Sequence, residues 1–412
     1  MRVETCKIGY VKEKLIKPFG FKGGYVSDVW QVAVTIGDSE CQATGLSIQS
    51  VLWSDAFVFQ KYGQEKGDQL MYDTTKYALG LLKTIEFDTP FEVTARLFEL
   101  CYKHITEMTK ENIRKTFVLN ALVAVDMAIW LFYARKNNIT SFSALTSLEK
   151  EHDKIASIPL ITYTTTTEEI KNILTNGEFF LKVKIGNENE WDKKRVKEIF
   201  ELTKGYHSEY TSTKRPVLYL DANGRYESKG QLLSLIEYLD KERILSEIGV
   251  FEEPFSEDKQ FDVSDIPCLF ACDESAHSVH EVKERFQQGY RSLALKPVAK
   301  TLSESLVMLS YANEMNMKTF IADLTVNPVL LELNRNVAAR IKTLDCVSVG
   351  LLETNGEMNY SQWNQMVGYH PLGKKGFLTA SEGVFDLKGY YMNDGGFFME
   401  SDYYNKLPSE VI

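Results

Sequence analysis

Hydrophobic and polar positions change their spacing twice along this chain, and the changes divide it. Over residues 1–60 apolar positions alternate as in strands, for example Trp30-Gln31-Val32-Ala33-Val34-Thr35-Ile36, after a Gly-rich turn at Phe19-Gly20-Phe21-Lys22-Gly23-Gly24. This predicts an antiparallel sheet with a mobile loop. Over 74–82, 90–108 and 112–137 the spacing becomes helical, and 120–133 is apolar almost all round. That last helix is expected to lie buried between domains.

After a polar, Ser/Thr-rich connection at about 138–157 the pattern changes to short apolar runs, at 158–163, 179–185, 217–220, 249–251, 267–272, 292–295, 318–322 and 346–351. Helical spacing fills most gaps, at 168–174, 191–203, 229–239, 279–287, 302–313 and 328–341. Eight strands alternating with helices predict an α/β fold, a (β/α)8 barrel of the TIM type. No helix can be placed between 251 and 267, and 205–216 reads as a surface insertion. Beyond about 365 the chain is aromatic- and Gly-rich and is expected to return over the amino-terminal domain or the barrel mouth. The predicted division is an α+β capping domain over 1–145, the barrel over 146–365, and a carboxyl-terminal segment over 366–412 that rejoins the cap.

Composition narrows the function classes. The 412 residues, 44% of them hydrophobic, can bury a large core. Lys and Arg number 47 against 57 Asp and Glu, a net charge of −10 with no basic block, which disfavours nucleic acid or an anionic membrane as partner. No uninterrupted apolar run approaches ~18 residues and the amino terminus does not read as a secretory signal, so a cytoplasmic protein is expected. Cys6, Cys41, Cys101, Cys268, Cys272 and Cys346 are scattered without metal-ligand spacing and read as reduced thiols.

The candidate chemistry sits where the runs end. Lys182-Val183-Lys184, Asp221-Ala222-Asn223, Glu252-Glu253-Pro254, Asp273-Glu274 and Lys296-Pro297 each place charge at the close of a buried strand. Such charge is costly unless it is paired, metal-bound or used. In a barrel these positions converge on one mouth. Three carboxylates side by side, Asp221, Glu252 and Asp273, would repel one another, and a hard divalent cation such as Mg2+ removes the conflict. The alternative is that they cap the following helices. Asn223 either supports the metal or caps a turn. Lys182 and Lys184, two apart, share a strand face, and Lys296 on the sixth strand lies across the mouth from the second. Between opposed lysines a substrate carbon meets an acid or base on either face, and burial beside another cation lowers a lysine pKa into a usable range.

This ordered set resembles the enolase superfamily, specifically its muconate lactonizing enzyme subgroup, which includes dipeptide epimerases and o-succinylbenzoate synthases. The resemblance implies Mg2+ held by Asp221, Glu252 and Asp273, with Lys184 and Lys296 as the acid/base pair. It implies that Lys182 lowers its neighbour's pKa and touches the enolate, and that Glu253 and Glu274 support the ligands from behind. The implied half-reaction removes the proton α to a carboxylate, giving an enediolate whose charge the site must stabilise. The seventh-strand end reads Phe320-Ile321-Ala322-Asp323-Leu324-Thr325, without the His that the mandelate racemase and acid-sugar dehydratase branches use there. Asp323, with Thr325, can orient Lys296 or the substrate, or simply cap the strand end. Glu353, on the eighth strand, is the candidate partner of a substrate ammonium, and Lys17 and Lys22 in the amino-terminal loop are candidates for a distal carboxylate.

The function expected is a Mg2+-dependent racemase or epimerase of a small carboxylate, such as an N-acyl amino acid or dipeptide. The runner-up is a lyase or cycloisomerase of the same superfamily, of o-succinylbenzoate synthase or acid dehydratase type. A third class is a catalytically inert metal-binding barrel. Assembly into a homo-oligomer is plausible by resemblance alone.

Overall fold

The computed structural model describes residues 1–21, 24–186, 188–373 and 379–412. Its amino-terminal part begins with three antiparallel strands, β1 (Thr5–Phe21), β2 (Gly24–Gly37) and β3 (Gln42–Gln49). Helices α1 (Val51–Ser54), α2 (Ala56–Leu82), α3 (Pro90–Thr109) and α4 (Lys115–Lys136) follow, then the short α5 (Phe142–Thr146). α2 starts well before the stretch where helical spacing becomes visible. It bends at Gly63, whose φ of 74° suits a residue without Cβ.

α4 is buried on every side from Thr116 to Phe132, between β3 and α2 on one side and the barrel on the other. By length and composition it could cross a membrane, but 94% of its apolar window is buried inside this molecule. One polar residue in it joins the two layers. Asp126 accepts hydrogen bonds from Thr94 Oγ1 (2.8 Å), Leu302 N (2.8 Å), Ser303 N (3.2 Å) and the Ser303 hydroxyl, so it satisfies the free amides at the start of a barrel helix from outside the barrel.

The barrel opens with β4 (Lys154–Ile158) and β5 (Leu160–Ile161), one strand interrupted at Pro159. It continues through α6 (Thr167–Thr175), β6 (Phe180–Lys184), α7 (Asn189–Thr203), β7 (Val217–Asp221), α8 (Lys229–Lys241), β8 (Ile248–Glu252), β9 (Phe270–Cys272) and α9 (Val279–Gln287). It ends with β10 (Ser292–Leu295), α10 (Pro297–Lys300), α11 (Leu302–Glu314), β11 (Lys318–Ile321), α12 (Leu331–Ala338) and β12 (Gly350–Glu353). Neighbouring strands pair in parallel from β5 to β12, and β12 pairs with β4. Because β4 and β5 are one strand, the ring of eight closes. As the sequence suggests, no helix lies between β8 and β9 among the described residues.

Strand periodicity separates two cores. Phe180, Tyr219, Val250, Ala271, Ala294, Phe320 and Leu351 pack together inside the barrel. Leu181, Val183, Leu218, Leu220, Phe251, Leu293, Leu295 and Leu352 belong to the larger core outside it. Two residues beyond six of these seven comes a charged residue, Lys182, Asp221, Glu252, Asp273, Lys296 or Glu353; beyond Phe320 it is Ala322. The charged set is therefore the top layer of the interior, resting on an apolar plug.

Two expected boundaries move. The eighth strand runs from Gly350 rather than 346, because Cys346 and Ser348 bond the 205–216 segment instead, through Ser212 N to Cys346 O and Ser348 N to Tyr210 O (both 2.9 Å). That segment is no loose surface insertion. Ser208 and Thr211 are buried, and Tyr210 takes a hydrogen bond from Lys154 Nζ at the start of β4, so it plugs the amino-terminal end of the barrel, opposite the mouth. Its bearing on specificity falls away.

The carboxyl-terminal segment contains α13 (Gly356–Asn359), α14 (Trp363–Val367), β13 (Val384–Asp386) and β14 (Glu410–Val411). β13 pairs antiparallel with β4 of the barrel and β14 with β1, so this one segment ties both sheets. The buried ion pairs Arg340–Asp394 and Arg335–Glu332, with Tyr390 Oη donating to Glu332 (2.9 Å), pin it between them.

Candidate active site

A cleft lies between the barrel mouth and the cap. Its barrel wall carries Lys182, Lys184, Asp221, Asn223, Asp273, Glu274, Lys296, Asp323, Thr325 and Glu353. Strand register builds this wall directly, since Lys184 stands opposite Asp221 and Asp221 opposite Glu252. Asn223, Glu253 and Thr325, just past strand ends, have φ of 46°, 42° and 58°. Left-handed backbone at non-glycine residues is costly, and three cases around one rim mark a region held in place by its surroundings.

Two lysine–aspartate–lysine groups face each other. Asp221 Oδ2 is 2.6 Å from Lys184 Nζ and 3.0 Å from Lys182 Nζ. Asp273 Oδ2 is 2.6 Å from Lys296 Nζ, and its Oδ1 is 3.0 Å from Lys300 Nζ, which also donates to Asp273 O at 2.6 Å. Lys182 further contacts Glu252 Oε2 and Glu353 Oε2, each at 3.1 Å, and lies over the Tyr219 ring. Lys296 lies over the Trp53 ring of the cap, 4.6 Å from its centre.

Electrostatics follow from this pairing. Burial works to raise the Asp221 carboxyl, but Lys182 and Lys184 outweigh it and hold it near 2. Lys296 and Lys300 drive Asp273 lower still against the same burial. Glu252 moves the other way, to about 8, because burial is joined by the charges of Asp273 and Glu274 against the weaker pull of Lys182 and Lys296. The expectation of depressed lysines is reversed here. Burial does pull Lys182 and Lys296 down, but Asp221, Glu252 and Glu353 hold the first above the ordinary lysine value, and Asp273 with Glu274 holds the second there.

The carboxylates suit a hard cation. Glu252, Asp273 and Glu274 each present an oxygen within 4.8 Å of the others. Glu252 Oε1 and Glu274 Oε2 have no hydrogen-bond partner among the described residues, and Glu252 Oε2 has only its 3.1 Å ion pair with Lys182. Unsatisfied, dehydrated oxygen donors at this spacing fit Mg2+ or a similar ion. Asp221 is turned onto the two lysines instead, while Glu274, expected behind the ligands, stands among them and accepts from Asn223 Nδ2 at 2.8 Å. Glu253 does sit behind: its Oε2 accepts from Asp273 N (2.7 Å) and Ser275 N (3.2 Å), fixing the turn that presents Asp273.

The remaining candidates divide. Glu353 accepts hydrogen bonds from Lys182 Nζ (3.1 Å), Asn355 Nδ2 (2.8 Å) and Asp323 N (3.3 Å). Asp323 accepts from Asn355 N (2.7 Å), and burial, then Glu353, push its carboxyl to about 6. Its hydrogen bond goes to Asn355, while Lys296 bonds Asp273. Thr325 lines the cleft and accepts from Asn359 Nδ2 at 3.2 Å. Lys17 is absent from the described lining, and Lys22 lies outside the described residues.

Sequence reading passed over Lys300, Asn355, Tyr219 and Trp53. Lys300 was detectable as a second lysine four residues after Lys296, behind a helix-starting proline. Trp53 carries no such signal, because it comes from the cap.

No protein-family model matches the sequence, and no curated protein matches it. Solved structures do. A mandelate racemase/muconate lactonizing protein from Herpetosiphon aurantiacus aligns with TM-score 0.68 and 16% identity over 93% of this chain and 95% of its own. N-succinyl Arg/Lys racemase from Bacillus cereus aligns with TM-score 0.65 and 15% identity over 88% and 89%. A dipeptide epimerase from Cytophaga hutchinsonii, complexed with Mg and D-Ala-L-Val, gives TM-score 0.66 and 15% identity over the same shares, 88% and 89%. This chain therefore shares the fold of these structures: a closed (β/α)8 barrel under an α+β cap, here with a charged layer at the strand ends.

Proposed function

We propose that this chain is an enolase-superfamily enzyme that moves the proton α to a carboxylate of a small molecule, as a racemase or epimerase of an N-acyl amino acid or dipeptide. The observation that carries the reading is the pair Lys184 and Lys296, on the second and sixth strands of an eight-stranded ring, both lining one cleft and each 2.6 Å from its own aspartate. Solved structures of this fold that are named as racemases and dipeptide epimerases support it.

Glu252, Asp273 and Glu274, with Asp221 after a turn of its side chain, would hold Mg2+, which supplies the positive charge that draws in the substrate carboxylate and offsets the charge developing on it. The protein does the rest. One lysine Nζ takes the α-proton from one face, and the opposed lysine returns a proton from the other, inverting the carbon. Lys182, held by Glu353, keeps a cation beside the developing charge. For a lysine to act as base it must leave its aspartate. A cation that took up Asp221 and Asp273 would free Lys184 and Lys296 from their ion pairs. Trp53 and the apolar cap side chains keep water from the carbanion.

Incubation of N-acyl amino acids and dipeptides with the protein, Mg2+ and D2O, followed by NMR of the α-proton, tests this. Exchange with inversion is expected. Exchange accompanied by a new alkene would assign the lyase reaction to the same residues, and no exchange across the library would leave a binding barrel.

A further inference from the structure

The cap wall of the cleft differs in chemistry from the barrel wall. It is formed by Asp28 of β2, Gln49 at the end of β3, Trp53 of α1, Gln64 and Asp68 of α2, and apolar neighbours, with no lysine or arginine among the described residues. Asp68 is 3% exposed, and Val51 N reaches its Oδ1 only at 3.4 Å. Gln64 Nε2 donates to Asp28 O (2.9 Å) and Oδ1 (3.3 Å). No ion pair among the described residues involves Asp28 or Asp68. On the neighbouring strand Lys12 pairs with Glu65, and Lys14 stands across from Asp28 in the β1–β2 ladder with no ion pair between them.

Gln49 supplies an independent observation. It is fully buried, its Nε2 donates to Thr75 Oγ1 at 2.7 Å, and its Oε1 faces no donor among the described residues. A buried amide oxygen left without a partner costs about 1–3 kcal/mol, so such an atom lining a cleft calls for an incoming donor. Burial also pushes the Asp68 carboxyl up to about 7, the behaviour of an acid lacking its counter-ion. Two carboxylates and an orphan carbonyl oxygen make a wall of acceptors. A distal carboxylate would be repelled there, and a neutral apolar chain would leave Gln49 unsatisfied.

We propose that Asp28, Asp68 and Gln49 form a subsite for an organic cation, an ammonium or guanidinium group on the substrate's side chain, held at the cap while the α-carbon lies between the barrel lysines. This rests on the proposed function and adds the substrate class to it. It replaces the expectation of a distal carboxylate met by Lys17 and Lys22.

The test uses the full chain with Mg2+ and matched ligands: Nα-acetyl-L-lysine against Nα-acetyl-L-norleucine, Nα-acetyl-L-arginine against Nα-acetyl-L-citrulline, and the same side chains as L-alanyl dipeptides. Calorimetry reads binding and α-proton exchange reads chemistry. Cationic members should bind at least about tenfold more tightly than their neutral partners. Asp28→Asn and Asp68→Asn should each reduce that ratio, and together bring it near one, with Mg2+ affinity kept as the sign of an intact barrel. Asp28 is only partly buried, so its variant keeps the test open if Asp68→Asn fails to fold. A wild-type ratio near one, a preference for the neutral members, or a ratio unchanged in the double variant overturns the subsite. So does failure of every cationic member to bind. L-alanyl-L-alanine against its N-acetyl form separates a main-chain ammonium from a side-chain one, and a preference confined to the free amine also overturns it. Cation preference without exchange would leave the subsite standing and remove the proposed reaction. Exchange without cation preference would do the reverse.

Discussion

The two walls of the cleft are built on opposite terms. On the barrel wall Lys182, Lys184 and Lys296 are each ion-paired with a carboxylate, and the charges sit at strand ends locked by ladder hydrogen bonds. On the cap wall Leu15, Phe19, Val26 and Leu52 share space with acids that make no ion pair among the described residues, on the β1–β2 hairpin and on α2. The barrel wall fixes positions to the accuracy that proton transfer needs, while the cap wall supplies shape and complementary charge. On the function and subsite proposed above, reaction and selectivity fall to different structural layers that meet at the cleft.

The sharpest way to break this contrast is to remove the lysines. Lys184→Ala and Lys296→Ala should each lower α-proton exchange in at least one direction by roughly 10²–10⁴, the usual worth of general acid–base catalysis, with thermal stability retained. Full activity in either variant would sink the two-base assignment. Next in size is metal affinity. Glu252→Gln should weaken Mg2+ binding at least about tenfold by calorimetry, a loss of ~1.4 kcal/mol. Asp221→Asn should do so only if Asp221 swings from the lysines onto the ion, so the pair of titrations decides between the two ligand sets.

The joint between the layers comes third. Asp126→Ala strips the external cap from α11 and leaves buried amides unpaired, so a loss of about 3 kcal/mol is expected in urea denaturation. An unchanged midpoint would show that the cap and barrel do not depend on this contact. The last test is on the cap wall. With Asp68 pushed up to about 7, the folded chain retains a proton that the unfolded chain has lost between about pH 4 and 7. Stability should therefore fall as pH rises through that window. Asp68→Asn removes the fall, so the variant should gain on wild type at pH 8 and scarcely at pH 4. Equal gains at both would refute a buried, counter-ion-free carboxylate.

Much of the barrel wall was legible because strand periodicity is local. Lys182 and Lys184 two apart, or Asp221 closing an apolar run, can be placed on the inner face without knowing their neighbours. The Cys346–Ser348 run misled for the same reason: it is apolar because it packs on 205–216, and alternation alone cannot tell that partner from a strand. Glu274 and Asp221 exchanged prominence because which carboxylate turns to a lysine and which to a neighbouring acid depends on side-chain rotamers across three strands. The lysine pKa values moved opposite to expectation because burial could be inferred from the sequence, but the surplus of nearby carboxylates could not be weighed without distances.

By itself the sequence determined the fold class, the ring order of the charged strand ends and the type of chemistry they suit, since each depends on spacing within one element or on the order of elements. Only the tertiary structure decided which acid faces which lysine, that Lys300 joins them, and that Asp28, Gln49 and Asp68 share a wall with no cation among the described residues. Those facts rest on contacts between different strands and helices, from a few tens of positions apart to 171 for Lys182 and Glu353, where tertiary packing, and no local pattern, sets the electrostatic environment.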